Sequence, residues 1–377
     1  MDSVVVCGRE ATYYDQYTDV HTIEIEGTAV TVGLIETKMP TFNPHASENR
    51  FQVLIKVRAF SCNYSDKSRI FAISQKCGEG ACYSSIGSEF VGEIIAIGTG
   101  VSRLRIGDRV MGNNQFPYSG VSDLLPGIPT DCASKRCWAV HEAKVVKVPL
   151  AMPDEVAAAF SVGAQTSYSI IRKLNMKAGK NVLVTAATSN TSLFVINALK
   201  QYAVNIYATI AIPSHHSKEK LLQMRVKEVI HVDTSILSLR ENRRIEEIVV
   251  QTGGFDYVID PFFDLYLSKT LHTVTMEGKY ITSGRGGLYS QLTEKAFLPE
   301  SEPLQDLMVY ASFHNIQLIG NFLGQREDLL RAIDDYNANL LNVTIDSVSQ
   351  GNSVAAFFER TYNAKDRFGK VVYCYND

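Results

Sequence analysis

Residues 181–202 constrain the fold of this chain more than any other stretch. Val182 to Val184 is a short apolar run with the character of a buried parallel strand. Thr188, Ser189, Asn190, Thr191 and Ser192 follow, all residues that cap helices or make turns. Leu193, Val195, Ile196 and Leu199 then recur at a mostly helical spacing. A second apolar run, Val204 to Ile212, completes a strand–helix–strand unit, which belongs to a parallel sheet covered by helices.

A strand–turn–helix junction of this kind gathers free backbone N–H groups and the positive end of a helix at one point, where a phosphate can sit. The usual dinucleotide fingerprint places glycines there. This chain has none between Thr185 and Tyr202. Two readings stay open at this point. One is a pyrophosphate site that uses Ser189, Asn190, Thr191 and Ser192 in place of glycine. The other is an ordinary turn of any α/β protein.

At 377 residues the chain is long enough for two domains or one large one. Its 45% hydrophobic and 20% charged content suits a globular protein with a sizeable core. A formal charge of −3 gives no reason to expect nucleic acid or an anionic membrane as partner. No apolar stretch is long enough to span a bilayer, and the N-terminal residues lack the pattern of a secretion signal. Seven cysteines spread over the chain suit free thiols in a reducing cytoplasm.

The first half reads as strands over 20–37 and 51–60, separated by a loop over 38–50 that holds Pro40 and Pro44. Three motifs follow: Val57-Arg-Ala-Phe-Ser-Cys-Asn-Tyr-Ser-Asp66, Ile86-Gly-Ser-Glu-Phe-Val-Gly-Glu-Ile-Ile-Ala-Ile-Gly98 and Val101-Ser-Arg-Leu-Arg-Ile-Gly-Asp-Arg-Val110. In this order they resemble the medium-chain dehydrogenase/reductase superfamily, and within it the zinc-free quinone oxidoreductase and enoyl reductase branch. The glycines of these motifs read as bends and close backbone approaches in a barrel-like domain. The resemblance implies an α/β fold: a mostly-β GroES-like catalytic domain (1–164 and 319–377) and a Rossmann domain with a doubly wound parallel sheet (165–318). An active cleft between the two is expected.

Zinc requires Cys, His, Asp or Glu donors at fixed places. The positions that supply them in zinc-dependent members hold Asn63, Ser88 and Val162 here, so no catalytic metal is expected. Asp66 and Glu89, acids that stand beside the metal in such enzymes, remain. Cys77, Cys82, Cys132 and Cys137 read as four thiols without a metal in preference to a structural zinc site. Residues 67–85 read as a loop over a pocket mouth, with Tyr83, Phe116 and Tyr118 as lining or simple packing aromatics.

In the second half, Asp154 to Phe160 starts a helix with acids at its positive end. Helices are expected over 217–224, 240–251, 265–275 and 325–341, the last burying Leu329, Leu330, Ile333 and Leu340. Strands are expected over 229–233, 256–260, 279–283 and at the edge 315–320. The second strand of the central unit is followed by Pro213-Ser-His-His-Ser-Lys-Glu-Lys220, with no acid before Glu219 to bind the ribose hydroxyls of NAD. Ser214, His216 and Lys218 can instead hold the 2′-phosphate of NADPH, the expected cofactor. The alternative is a solvated surface loop.

By resemblance, Thr166 packs beside the nicotinamide, Arg367 reaches a cofactor phosphate, and the strand near 315–322 pairs two subunits into a homodimer. Asn63, Tyr64 and Ser65 are the implied catalytic set. Tyr64 stabilises or protonates the reduced substrate, Ser65 is the weaker candidate, and Asn63 positions the ribose. The expected substrate is a small molecule or peptide with an activated alkene, or a quinone. A non-catalytic chain that keeps the fold is the rival, supported by the glycine-free turn.

Overall fold

Alternating apolar residues near the N-terminus build an antiparallel sheet. β1 (Asp2–Cys7), β2 (Tyr17–Ile25) and β3 (Thr28–Glu36) pair in the order β2-β3-β1. The computed structural model describes residues 1–8, 17–76, 83–286 and 302–376. Contacts divide the chain into two units. The first contains residues up to Val162 and from Ile345 onward, and the second contains Gly163 to Thr344 apart from the stretch not described.

The first unit continues through β4 (Gln52–Ser61), α1 (Asp66–Ser74), β5 (Tyr83–Ser84), β6 (Glu89–Ile97), β7 (Arg109–Gly112), β8 (Cys137–His141), β9 (Val145–Lys147) and α2 (Asp154–Ala157). β5 extends the first sheet beside β1, while β4, β6, β7 and β9 form a second antiparallel sheet with β8 also on β4. Val53, Ile55, Val57, Phe60 and Phe90 alternate into a shared core. One expectation is corrected here. Residues 67–74, read as loop, belong to α1. Lys67 and Ser74 are buried in this helix together with Ile70, Phe71 and Ile73, so polar and apolar letters mix on its inner face and hide the periodicity. Residues 77–82, including Cys77 and Cys82, lie outside the described residues.

The second unit takes most of α3 (Ser161–Leu174), then β10 (Asn181–Val184), α4 (Asn190–Leu199), β11 (Asn205–Ile210), α5 (His215–Gln223), β12 (Glu228–His231), α6 (Arg243–Thr252), β13 (Phe255–Asp260), α7 (Phe263–Thr270), β14 (Val274–Thr282), α8 (Leu304–Phe313), β15 (Gln317–Gly320) and α9 (Arg326–Asn337). Its six strands run parallel in the order β12-β11-β10-β13-β14-β15. This is a doubly wound sheet whose strand order reverses between β10 and β13, the crevice where such sheets bind ligands. Two element readings shift. The helix expected to run to residue 275 stops at Thr270, because Leu271–Thr273 makes one tight turn and Val274 already pairs with Phe255. Helix α9 ends at Asn337, and Asn339 then turns left-handed (φ 58°). That turn buries Leu341 and leaves Leu340 49% exposed, where Leu340 was expected inside.

The chain then returns to the first unit with β16 (Ile345–Gln350), α10 (Val354–Tyr362) and β17 (Lys370–Cys374). β17 pairs antiparallel with β4 through Val372 and Ser61 and parallel with β16, so both strands join the second sheet with β16 at its edge. Among the described residues no helix is long and apolar enough to cross a membrane.

Gly98, where β6 ends, lies so close to the Asn49 and Arg50 carbonyls that a methyl group would collide with both, whereas Gly320 has open space around it. Gly98→Ala is therefore expected to cost about 1–3 kcal/mol or more of unfolding free energy, and Gly320→Ala less than about 0.5 kcal/mol. Urea denaturation of the two variants checks this, and equal midpoints would contradict the close approach.

Candidate functional site

Asn63, Tyr64 and Ser65 occupy the short link between β4 and α1 in the first unit. Asp66, in the first turn of α1, closes this link by accepting the Asn63 backbone N–H at 2.6 Å. The same carboxylate oxygen accepts the Ser88 hydroxyl at 2.9 Å. The Asn63 amide donates to Ser88 Oγ and to Glu89 Oε2, both at 3.0 Å. Lys370, the first residue of β17, donates to Asn63 Oδ1 and Glu89 Oε2, each at 2.6 Å. The other Glu89 oxygen accepts the Val162 N–H at 2.8 Å. Glu89 is thus a hub onto which positions 63, 162 and 370 converge directly, with Ser88 joined through Asn63.

This network is dry. Glu89 is 0% and Lys370 1% exposed. Such a pair persists only when its remaining donors and acceptors are satisfied, and here Asn63 and Val162 satisfy them. Asp66 is pushed up to about 6, chiefly by burial, against the opposing pull of its bonds from Asn63 and Ser88. Lys370 was not singled out from the sequence. The available signal was a lysine inside the buried run Gly-Lys-Val-Val, a place where an unpaired charge is not tolerated.

Tyr64 is half-buried and packs against the core of the first unit. Its hydroxyl donates to Glu26 at 3.5 Å, a long contact, and the Lys67 ammonium lies 3.9 Å over its ring. Lys67 is also buried and pairs with Glu26, while burial pulls its ammonium below the usual lysine range. Ser65 is exposed, and its carbonyl accepts the Ser68 hydroxyl at 3.0 Å. Arg367 lies just before β17, with its guanidinium lowered by burial. Tyr118 is 79% exposed and Tyr83 37%.

In the second unit, Ser189 caps α4 by accepting the Ser192 N–H at 3.3 Å. The Ser189 hydroxyl also bonds Ser192 Oγ, whose own proton goes to the Thr185 carbonyl at 2.9 Å. Of the four residues expected to hold a pyrophosphate, Ser189 and Ser192 are therefore spent on the shape of the turn. The other two are not: Thr191 is half-buried, and the side-chain nitrogen of Asn190 is buried with no hydrogen-bond partner. Ser214 caps α5 by accepting the Ser217 N–H at 3.3 Å, and His216 and Lys218 stand exposed in its first turn. The helix follows the carboxyl end of β11, so His216 and Lys218 lie in a basic first turn where the alternative reading had a solvated surface loop. Thr166 is buried on α3.

Among the described residues no cluster of three or more His, Cys, Asp or Glu is arranged to hold a metal. Cys132 accepts from Arg69 at 3.1 Å, and Cys137 is buried with its thiol raised by burial.

A mostly-β unit and a doubly wound parallel sheet on one chain define a two-domain oxidoreductase fold. Residues 49–171 match the alcohol dehydrogenase GroES-like domain. The chain is 24% identical over 289 residues to polyketide synthase 37 of Dictyostelium discoideum, covering 75% of this chain and 9% of the synthase. It is 23% identical over 294 residues to the acryloyl-coenzyme A reductase of Metallosphaera sedula, covering 74% and 78%. A solved NAD-dependent alcohol dehydrogenase shares the fold, with a TM-score of 0.73, 18% identity and 99% of each chain covered. Together these similarities support the medium-chain dehydrogenase/reductase superfamily. It spans only 8–11% of the length of the first relatives it matches.

Asp66 makes the stability of the site depend on pH. Its folded value, about 6, lies above its ordinary 3.8, so the stabilising form is the protonated one. That contribution is complete below about 3.8 and is lost as pH rises through about 6. Asp66→Asn removes the titration. Between pH 4 and pH 7.5 the unmodified chain should lose about 2–3 kcal/mol more unfolding free energy than the variant. Parallel urea-midpoint curves for the two would contradict the assignment.

Proposed function

We propose that this chain is an NADPH-dependent reductase that delivers hydride to a carbon–carbon double bond conjugated to a carbonyl, or to a quinone, without a catalytic metal. The Glu89 hub carries this reading. By the resemblance, positions 63, 88 and 162 are those that hold the ligands of zinc-dependent members; here they carry the amide of Asn63, the hydroxyl of Ser88 and Val162, and the Lys370 ammonium bonds Asn63 and Glu89. These are poor zinc donors, and a resident cation opposes a second one. A metal is needed to polarise substrates with no activation of their own. Its loss favours substrates already polarised by conjugation, such as an enone, an enoyl thioester or a dehydroamino-acid residue of a modified peptide. The similarity to a reductase named for acryloyl-coenzyme A supports the thioester.

Features of the second unit support a dinucleotide cofactor. The buried, unpartnered Asn190 nitrogen is a donor without an internal acceptor, at the first turn of a capped helix. Asn190, Thr191 and the first-turn amides of α4 would hold the pyrophosphate. Ser214, His216 and Lys218 would hold the 2′-phosphate, and Thr166 would lie beside the nicotinamide. NADPH, when bound, supplies a hydride for the β-carbon. In the first unit, the Tyr64 hydroxyl holds the proton for the enolate, beside the Lys67 ammonium that lies over its ring. Asn63 keeps its orientation through Lys370 and Ser88.

The reading is tested first by binding. NADPH at 100 times its dissociation constant should stabilise the chain by about 2.7 kcal/mol. Lys218→Ala or His216→Ala should weaken NADPH roughly tenfold and leave NADH nearly unchanged. Equal affinity for both cofactors in the unmodified chain would remove the phosphate-binding role. No stabilisation by either would favour a chain that keeps the fold without catalysis, the reading suggested by its glycine-free turn.

Chemistry is tested with a short enoyl thioester and a naphthoquinone as substrates. Tyr64→Phe keeps the ring and removes the hydroxyl, so turnover should fall about 10²-fold with NADPH binding intact, and a change under about threefold would move proton donation elsewhere.

A further inference from the structure

The turn between β10 and α4 has a shape that glycine normally supplies. Ala186 takes a left-handed conformation (φ 45°), which costs an L-residue energy. Its neighbours are pinned on both sides. The Thr185 N–H donates to the Ile259 carbonyl and the Ala187 N–H to the Thr209 carbonyl, each at 3.0 Å. These bonds continue the ladders to β13 and β11. They hold the backbone on either side of the strained residue.

The Thr185 side chain adds a further restraint. Its hydroxyl donates to Asp260 Oδ1 at 2.8 Å. Asp260 ends β13, is 1% exposed, and also accepts the Phe262 N–H at 2.9 Å and the hydroxyl of Tyr280 on β14. Tyr280 is itself 2% exposed. A carboxylate buried this deeply is costly, and burial pushes Asp260 up to about 6. A valine or leucine at the end of a central strand would avoid that cost. The carboxylate instead links three adjacent strands at their carboxyl ends, with Thr185 as its contact to the turn.

We propose that Tyr280, Asp260 and Thr185 form a buried relay that holds the glycine-free turn 185–192 in the shape that receives a dinucleotide pyrophosphate. All three are positioning residues, since they act through the turn backbone. This rests on the cofactor reading above. Asp260 orients the Thr185 hydroxyl, and Thr185 in turn fixes Ala186 and the carbonyl that accepts Ser192 Oγ. Side-chain restraint from the neighbouring strand thus does what glycine does elsewhere by conformational freedom.

The experiment measures NADPH affinity by fluorescence titration at 25 °C, with folding confirmed by circular dichroism and by the thermal midpoint without cofactor. Thr185→Val keeps the shape and drops the hydroxyl, and Tyr280→Phe does the same at the far end. Each is expected to weaken NADPH roughly tenfold, while Thr185→Ser stays within about twofold. A rescue separates this role from a merely structural one. Glycine adopts the left-handed conformation without strain, so Ala186→Gly added to Thr185→Val should recover most of the lost affinity. A lowered thermal midpoint with unchanged NADPH affinity would overturn the proposal, as would a loss of affinity that Ala186→Gly does not restore. If the unmodified chain binds NADPH and Thr185→Val binds it equally well, the relay alone fails. If the unmodified chain binds neither NADPH nor NADH, the cofactor reading fails and the relay with it.

Discussion

The Lys370 ammonium, 1% exposed and 2.6 Å from a Glu89 oxygen, is the interaction around which the first unit is arranged. Neither charge survives in a dry interior alone. Each forces the other into place, and together they need further hydrogen bonds to offset desolvation. Those bonds come from Asn63 and Val162, with Ser88 and Asp66 one step further out. The last strand of the chain, the link before α1 and the start of α3 are thereby fixed to one carboxylate. Residues far apart in sequence acquire a single geometry because a buried charge leaves them little choice.

The second unit solves a related problem with different means. A parallel sheet presents its ligand site at the carboxyl ends of its strands, and the turn there must be both tight and rich in N–H groups. Glycine makes that easy. This chain uses serine caps on α4 and α5 and a threonine tied to a buried aspartate. The polar residues of the turn divide accordingly. Ser189 and Ser192 build its shape, while Asn190 leaves a buried donor with no internal partner. The sequence alone presents all of them as equivalent small polar residues.

The two units also differ in how charge is handled. In the first, the buried Lys67 pairs with the half-buried Glu26 beside the ring of Tyr64, so the aromatic side chain has a polar neighbourhood that an ordinary packing tyrosine lacks. In the second, the basic residues His216 and Lys218 remain in solvent on the first turn of α5. Its buried charges include Asp260 at the end of β13, Lys269 on α7 and Asp328 on α9. Buried polar groups mark the places where side-chain chemistry, not packing, decides which residue is present.

Much of this was legible in one dimension. The strand–turn–helix at 181–199, the succession of strands and helices to 320, and the glycine motifs at 87–98 and 107–110 follow local rules of period, capping and close approach, which a sequence displays directly. The residue types at positions 63 and 88, an asparagine and a serine, are likewise a matter of sequence, and neither is an ordinary zinc donor. Three things were decided only by the tertiary structure. α1 looked like loop because its inner face buries Lys67, paired with the distant Glu26, and Ser74, whose hydroxyl bonds back to the Phe71 carbonyl. Leu341, not Leu340, entered the core because a left-handed Asn339 changed the phase of the chain after α9. Lys370 and Asp260 acquired their roles through partners 281 and 75 residues away, Glu89 and Thr185. Periodicity reports how a residue meets its neighbours along the chain. A buried charge is defined by what meets it across the fold, and no local pattern encodes that.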